Sequence, residues 1–165
     1  MGTGGVIFRK IRAGIADEPT GFAWIEKGRL AATGFPAGRN QVLWLTRQGV
    51  TSILTLTEDP LPSEWTSGLN LDLKHVGMGD HAPPSLESLN EGADYIQEEL
   101  ARGRCVAVHC LAGEGRTGSV LAAFMIKERG LSSSEALRML REIKPAFVEH
   151  SQEKAVSEFE ASVRK

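Results

Sequence analysis

Apolar residues along this chain recur with two different periods, and the period changes from segment to segment. Val106-Ala107-Val108 is a short unbroken apolar run, and Val120 to Ile126 is a longer one. The first predicts a buried strand and the second a buried helix. Upstream, Phe22–Ile25 and Arg29–Ala32 flank Glu26-Lys27-Gly28 and predict a strand pair. Asn40–Gln48 predicts a helix ended by Gly49. Thr51–Thr57 alternates and is rich in β-branched residues, so it reads as a strand. Leu69, Leu71 and Leu73 alternate with Asn70, Asp72 and Lys74, the pattern of a half-buried strand. After a loop from Gly77 to Pro84, Ser85 is placed to cap a helix whose Leu86, Leu89, Ala93, Ile96 and Leu100 share one face. Gly103 ends it, and Gly130 stops the buried helix. Ser132 with Glu135 forms a capping box for a helix that must finish before Pro145. A last helix carries Val156, Phe159 and Val163 on one side.

Strands alternating with helices specify an α/β fold. A single domain with a mostly parallel central sheet, flanked by helices, is expected to present its ligands at the carboxyl ends of the strands. Residues 1–20 stand apart from this domain, which occupies 21–165. Ile7, Ile11 and Ile15 recur at helical spacing until Pro19, so the segment reads as a leader or a short docked helix. Its apolar stretch is too short, and too broken by Arg9, Lys10 and Arg12, for a secretory signal.

Composition narrows the partners more than the fold. With 41% apolar and 24% charged residues in 165, the chain has the profile of one globule with a real core. A formal net charge of −2 provides no electrostatic footprint for nucleic acid or an acidic membrane. Cys105 and Cys110 are the only cysteines. On one strand, positions five apart are separated by roughly 16 Å, beyond disulfide reach, so a reducing, cytoplasmic setting is expected. His75, His81 and His150 show no ligand spacing, and neither a metal nor a cofactor is expected.

The chemistry concentrates in His109-Cys110-Leu111-Ala112-Gly113-Glu114-Gly115-Arg116-Thr117-Gly118. This stretch joins the central strand to the buried helix and is the candidate phosphate loop. Such a junction collects free backbone N–H groups and the positive end of a helix dipole, so it attracts anions. Gly113, Gly115 and Gly118 are expected to let the backbone take positive φ and curl its amides inward. Thiols at helix amino ends beside cations ionise readily, with pKa values of roughly 3.5–7.5. An arginine fork matches two oxygens of a phosphate. Cys110 as nucleophile, the amides of residues 111–116 as cradle and Arg116 as clamp point to attack on a phosphorus with three equatorial oxygens. The departing oxygen then needs a proton. Asp80, about 30 residues before Cys110 in a loop ending Pro83-Pro84, is the candidate acid. Asp59 precedes Pro60 in an earlier loop and Asp72 would lie within a strand, so both rank behind it. His109 should point to the opposite face from Cys110, which removes it as a direct base.

The loop resembles the signature of the cysteine-dependent protein tyrosine phosphatases: His-Cys, five residues, Arg, then Ser or Thr. From Phe22 to Phe159 the chain resembles the small single-domain dual-specificity phosphatases. The resemblance implies that Cys110 forms a phosphocysteine, that Asp80 is general acid, and that His109 braces the loop. It also implies that Thr117 donates to the sulfur, that Gln152 orients the second-step water, and that Glu58 stands near Arg116. Phosphoprotein substrates are implied, phosphotyrosine together with phosphoserine and phosphothreonine. The sequence does not set the oligomeric state, and a monomer is the expectation. One departure matters. Glu114 puts an acid where relatives acting on lipid phosphates tend to carry lysines, which counts against a polyanionic headgroup.

Other readings remain at this point. The same chemistry could serve an RNA 5′-phosphate or a phosphoinositide. A rhodanese-like sulfurtransferase also uses a loop cysteine ringed by amides, but lacks the Arg-Thr-Gly run and needs no acid like Asp80. A phosphate-binding module without turnover usually loses Cys, Arg or Asp, and all three are intact here.

Overall fold

The structure, a computed structural model, describes residues 17–165. Most of the leader or docked helix expected over 1–20 therefore lies outside the described residues. From Thr20 onward the chain is tied to the domain, because the Thr20 carbonyl accepts from Gly34 N–H at 2.8 Å.

Five strands form one sheet in the order β1-β2-β5-β3-β4. β1 (Ala23–Glu26) runs antiparallel to β2 (Leu30–Thr33), and β5 (Val106–His109), β3 (Ser52–Thr55) and β4 (Asp72–His75) continue in parallel. The β1–β2 hairpin turns at Gly28, whose φ of +76° is open to glycine at no steric cost. In register, Thr33, His109 and Thr55 stand side by side at the carboxyl ends of β2, β5 and β3. Everything chemical in the molecule is built just beyond that row.

Helices cover both faces, as parallel strands require. On one lie α3 (Leu86–Ala101), α4 (Gly115–Arg129), α5 (Ser133–Ile143) and α6 (His150–Val163). Here Val106, Val108 and Cys110 pack with Leu89, Ile96, Val120, Leu121 and Phe159 in the larger core. α4 sits at its centre, touching α3, α5 and α6, and every residue from Gly115 to Ile126 is buried. The other face carries α1 (Arg39–Arg47), whose Val42 and Leu45 meet Ile53, Cys105 and Ala107. Phe22, Trp24 and Trp44 close that smaller core edge to face.

Local signals explain most of the boundaries. Ser85 Oγ accepts from Ser88 N–H to start α3, and the Ser132–Glu135 capping box starts α5. Gly130, in the left-handed region, ends α4.

Two expectations need correction, and one element was not expected. The alternation Leu69-Leu71-Leu73 does not mark one strand face. Leu69 and Leu71 lie on the approach to β4 and pad the smaller core, whereas Leu73, on the edge strand, is 51% exposed. An edge strand has a neighbour on one side only, so less is available to roof its outer positions. Val163, at the end of α6, is also 38% exposed instead of joining Val156 and Phe159. Finally, a short helix α2 (Ser63–Thr66) was not signalled by periodicity, being a single turn. Arg39 Nη1 ties it to α1 through the carbonyls of Glu64, Trp65 and Ser67. No helix of the described residues is long and apolar enough to cross a membrane.

Candidate active site

Past the end of β5 the chain turns from Cys110 through Gly113 and enters α4 at Gly115. The helix begins inside the phosphate loop, with Glu114 as its N-cap, so Arg116 belongs to its first turn. Of the glycines expected to take positive φ, only Gly113 does, at +72°. A Cβ there would also meet the Thr33 carbonyl carbon at 2.5 Å. Gly115 and Gly118 serve a different need, close approach. A Cβ on Gly115 would lie 2.7 Å from Gln152 Oε1, and one on Gly118 2.7 Å from the Val148 nitrogen. The loop is therefore pressed between β2 behind it and the α5–α6 connection in front.

Two residues hold that frame. Lys144 Nζ reaches the carbonyls of Ala112 and Gly113 at 3.5 and 3.3 Å, drawing them outward, and lies 3.6 Å from the Glu114 carboxylate. Arg141 donates to the carbonyls of Phe147 and Val148 and pairs with Glu153, strapping the connection in which Val148 takes a φ of +60°. Neither stood out in the sequence, where each is an ordinary cation near a helix end.

Cys110 and Arg116 stand at the two ends of the loop. Both line a cleft of about 110 Å³ with Asp80, His81, Leu111, Ala112, Glu114, Gly115 and Glu149. Arg116 is almost wholly buried, at 2% exposure. Its Nη1 donates to Met78 O at 2.9 Å and faces Glu58 Oε2 at 3.1 Å, so Glu58 stands where the resemblance implied. Nη2 lies 3.2 Å from Asp80 Oδ1, and Nε is buried with no partner among the described residues. One edge of the guanidinium is thus committed to the protein. The other edge, Nε and Nη2, carries only the Asp80 contact, and it is the edge on which a bidentate anion would sit.

Asp80 comes from the loop after β4 and leans over the phosphate loop. Its N–H donates to Glu58 Oε1 at 2.9 Å. A hydrogen bond from the Glu58 backbone N–H, then this one from Asp80 and the nearby Arg116, hold the Glu58 carboxyl below its ordinary range. Neither rival acid lines this cleft. Asp72 pairs with Arg104 at 2.8 Å, and Asp59 borders a separate hollow. That hollow, about 300 Å³, is walled by Phe35, Pro60, Pro62 and Leu111, the last 60% exposed and shared with the cleft.

His109 is fully buried and bridges two strands' ends. Its Nε2 is 2.8 Å from Thr55 Oγ1, and its Nδ1 lies 3.2 Å from the Cys110 carbonyl. A carbonyl only accepts, so Nδ1 carries the proton and Thr55 donates to Nε2. Burial pushes its pKa down to about 4, and the ring is neutral at physiological pH. Thr117 is fully buried with its Oγ1 unpartnered among the described residues, so the hydrogen bond to sulfur is not formed here. Gln152 is also fully buried, behind Gly115. Its Oε1 accepts from Glu149 N–H at 3.0 Å, while its Nε2 has no partner among the described residues.

His81, set aside in the sequence as a scattered histidine, lies at the mouth of the cleft. Its Nδ1 is 2.9 and 3.0 Å from the two oxygens of Glu149, and its Nε2 is 3.4 Å from Asp80 Oδ2. Position next to Asp80 was the only available signal. Among the described residues, no cluster of three His, Cys, Asp or Glu is arranged to hold a metal.

Comparison with known proteins agrees with this architecture. In Arabidopsis thaliana, a phosphatidylglycerophosphate phosphatase (PTPMT2) is 29% identical over 126 residues, 73% of this chain and 55% of that protein. The Mus musculus phosphatidylglycerophosphatase and protein-tyrosine phosphatase 1 is 31% identical over 124 residues, 70% of this chain and 64% of that one. The chain therefore spans less than two thirds of the length of these two curated relatives. Among solved structures, Tk-PTP in its active form superposes with a TM-score of 0.77 at 30% identity, covering 85% of this chain and 96% of that one. The family model described as the Swiss Army Knife DSP-PTPase phosphatase domain matches residues 19–156, and the chain belongs to that family of cysteine-dependent phosphatases.

Proposed function

We propose that this chain hydrolyses phosphate monoesters on protein side chains, phosphotyrosine together with phosphoserine and phosphothreonine, through a phosphocysteine. The observation that carries the chemistry is the convergence of Cys110, Arg116 and the Asp80 carboxyl on one small cleft, with Arg116 Nε unpartnered among the described residues and Nη2 held only by Asp80. In the first step the Cys110 sulfur attacks phosphorus, and the bond to the substrate oxygen breaks. Arg116 and the loop amides hold the equatorial oxygens, and Asp80 passes its proton to the leaving oxygen. In the second step water attacks the phosphocysteine and Asp80 accepts its proton. The S–P bond breaks, returning thiolate and inorganic phosphate. Gln152 and Thr117 flank this centre with unspent polar atoms, which supports their roles in placing water and stabilising the departing sulfur.

Charge at the mouth supports a protein substrate. Asp80, Glu114 and Glu149 line the cleft, Arg116 is its only lysine or arginine among the described residues, and Lys144 behind the loop already faces Glu114. A headgroup carrying several phosphates would meet carboxylates there. A second reading, a phospholipid monoester, has two supports: the names of the relatives, and the hollow where exposed Leu111 adjoins Phe35 and Pro60. The deciding experiment measures kcat/KM on phosphotyrosine and phosphothreonine peptides, dispersed phosphatidylglycerophosphate, a phosphoinositide and a 5′-phosphorylated RNA, with Cys110→Ser as control. Preference for the peptides is expected. A lipid preferred tenfold or more would replace this reading with the second.

A further inference from the structure

The tip of the acid-bearing loop is held at three points, and substrate binding must release one of them. Asp80 N–H is bonded to Glu58, Asp80 Oδ1 faces Arg116 Nη2 at 3.2 Å, and His81 Nδ1 grips both oxygens of Glu149 at 2.9 and 3.0 Å. When a phosphate takes the Nε–Nη2 edge of Arg116, the contact with Asp80 is given up. The acid must then stay above the leaving oxygen without the arginine.

The Glu149 end of the clasp is a fixed point. Glu149 is the N-cap of α6, where its backbone carbonyl accepts from Gln152 N–H at 2.8 Å and its own N–H donates to the buried Gln152 side chain at 3.0 Å. Val148 beside it is strapped by Arg141 at 2.8 Å. The His81 end is held in an unusual conformation: its φ is +56°, a region a non-glycine residue keeps only when its surroundings hold it there. The imidazole spans two carboxylates, one nitrogen towards Glu149 and the other 3.4 Å from Asp80 Oδ2.

We infer that His81 is a positioning residue for the phosphatase reaction: clasped to Glu149, it keeps Asp80 over the phosphate loop while substrate occupies Arg116. This rests on Asp80 being the general acid. The groups that face the imidazole are Glu149 from α6, Asp80 from its own loop and Arg116 from α4, with Glu114 and Cys110 lining the same cleft. The hydrogen bond that His81 donates to Glu149 raises its pKa most, the nearby Asp80 and Glu149 charges add to it, and Arg116 opposes them. The clasp is consequently an ion pair below that raised pKa and a neutral hydrogen bond above it. His81 is 74% exposed, so the pair contributes little to global stability, and its effect belongs in turnover.

The test compares wild type, His81→Ala, His81→Arg, Glu149→Gln and the double variant His81→Ala/Glu149→Gln on p-nitrophenyl phosphate and a phosphothreonine peptide. His81→Ala should lower kcat on the peptide about tenfold, within the span of general acid catalysis, with KM nearly constant. The loss on p-nitrophenyl phosphate, whose leaving group departs without a proton, should be several-fold smaller. Arginine, a permanent cation of similar reach, should restore most of the peptide activity and carry it to higher pH. The double variant should lose no more than the worse single one. Independently of turnover, the His81 ring should titrate above 6.5 by NMR and move back towards that value in Glu149→Gln. Equal losses on both substrates, additive losses, or no rescue by arginine would overturn the positioning role. A wild type that turns over neither substrate while the NMR coupling persists would instead remove the phosphatase reading beneath it, leaving the clasp without a function.

Discussion

The Asp80 carboxylate stands 3.2 Å from Arg116 Nη2, on the Nε–Nη2 edge of the guanidinium. General acid and anion clamp are in contact with each other, and an incoming phosphate competes with the acid for the arginine. Asp80→Asn should therefore move binding and turnover in opposite directions. Inorganic phosphate, read as a competitive inhibitor, should bind several-fold more tightly once the competing charge is gone. Hydrolysis of phosphotyrosine and phosphothreonine peptides should fall about 10²–10⁴-fold, with a smaller loss on an aryl phosphate. The descending limb of the kcat/KM pH profile should flatten. Weaker phosphate binding, with equal losses on both substrates, would remove Asp80 from the mechanism.

Arg116→Lys tests the clamp's geometry. The fork is fixed through Nη1 by the Met78 carbonyl and Glu58, so the guanidinium is oriented before substrate arrives. An ammonium keeps the charge, but it cannot occupy both places or match two equatorial oxygens. We expect kcat to collapse at saturating substrate, with the fold intact by circular dichroism. A change confined to KM would contradict bidentate stabilisation of the transition state.

The strands and helices around the loop were legible because they are set by local rules: alternation in β3, the apolar runs of β5 and α4, the serine caps of α3 and α5. Cys110, Arg116 and Asp80 were legible because a spacing and a resemblance fix their order in the chain. What escaped was long-range. His81 and Glu149 are 68 positions apart, and Lys144 meets the phosphate loop across more than 30. No periodicity brings such pairs together. They meet because α5 and α6 wrap around the start of α4, with Gly115 and Gly118 leaving room for that approach. The edge position of β4 escaped for the same reason. Leu73 carries the pattern of an inward residue, and only the strand order shows that it lies at the margin.

His109 makes stability depend on pH in a defined window. Burial lowers its pKa from 6.5 to about 4 in the fold, so between those values the unfolded chain binds more protons than the native one. Stability is therefore complete above pH 6.5 and declines as pH falls towards 4, by about 3 kcal/mol at most from this one group. The lowered carboxyls Glu58, Glu135, Glu153 and Glu160 add their losses only below their ordinary value of 4.5, outside most of that window. Urea midpoints measured across it should fall steadily for wild type and stay flatter for His109→Asn. Asparagine can still donate to the Cys110 carbonyl, which keeps the comparison fair. A midpoint independent of pH from 6.5 to 4 would show that His109 is not held neutral by burial.

Oxidation should act on Cys110 alone, and without an internal rescue. Both thiols are free, but they belong to different faces of the sheet. Cys105 packs with Val42 and Leu45 under α1, where burial raises its pKa and leaves it a poor nucleophile. Cys110 lies in the larger core on the α4 side and opens to the cleft. A sulfenic acid formed there has the sheet between it and the other sulfur, so no disulfide can protect it. Peroxide should inactivate the protein at a rate that falls as an oxyanion fills the cleft. Added thiol should restore activity at early times and fail once sulfinic acid has formed. Cys105→Ser should change neither the rate of inactivation nor the recoverable fraction. Loss of recovery in Cys105→Ser, or a Cys105–Cys110 disulfide found by mass spectrometry, would mean that the end of β5 unfolds far enough for the two sulfurs to meet. Cys110 would then be a thiol with an internal resolving partner.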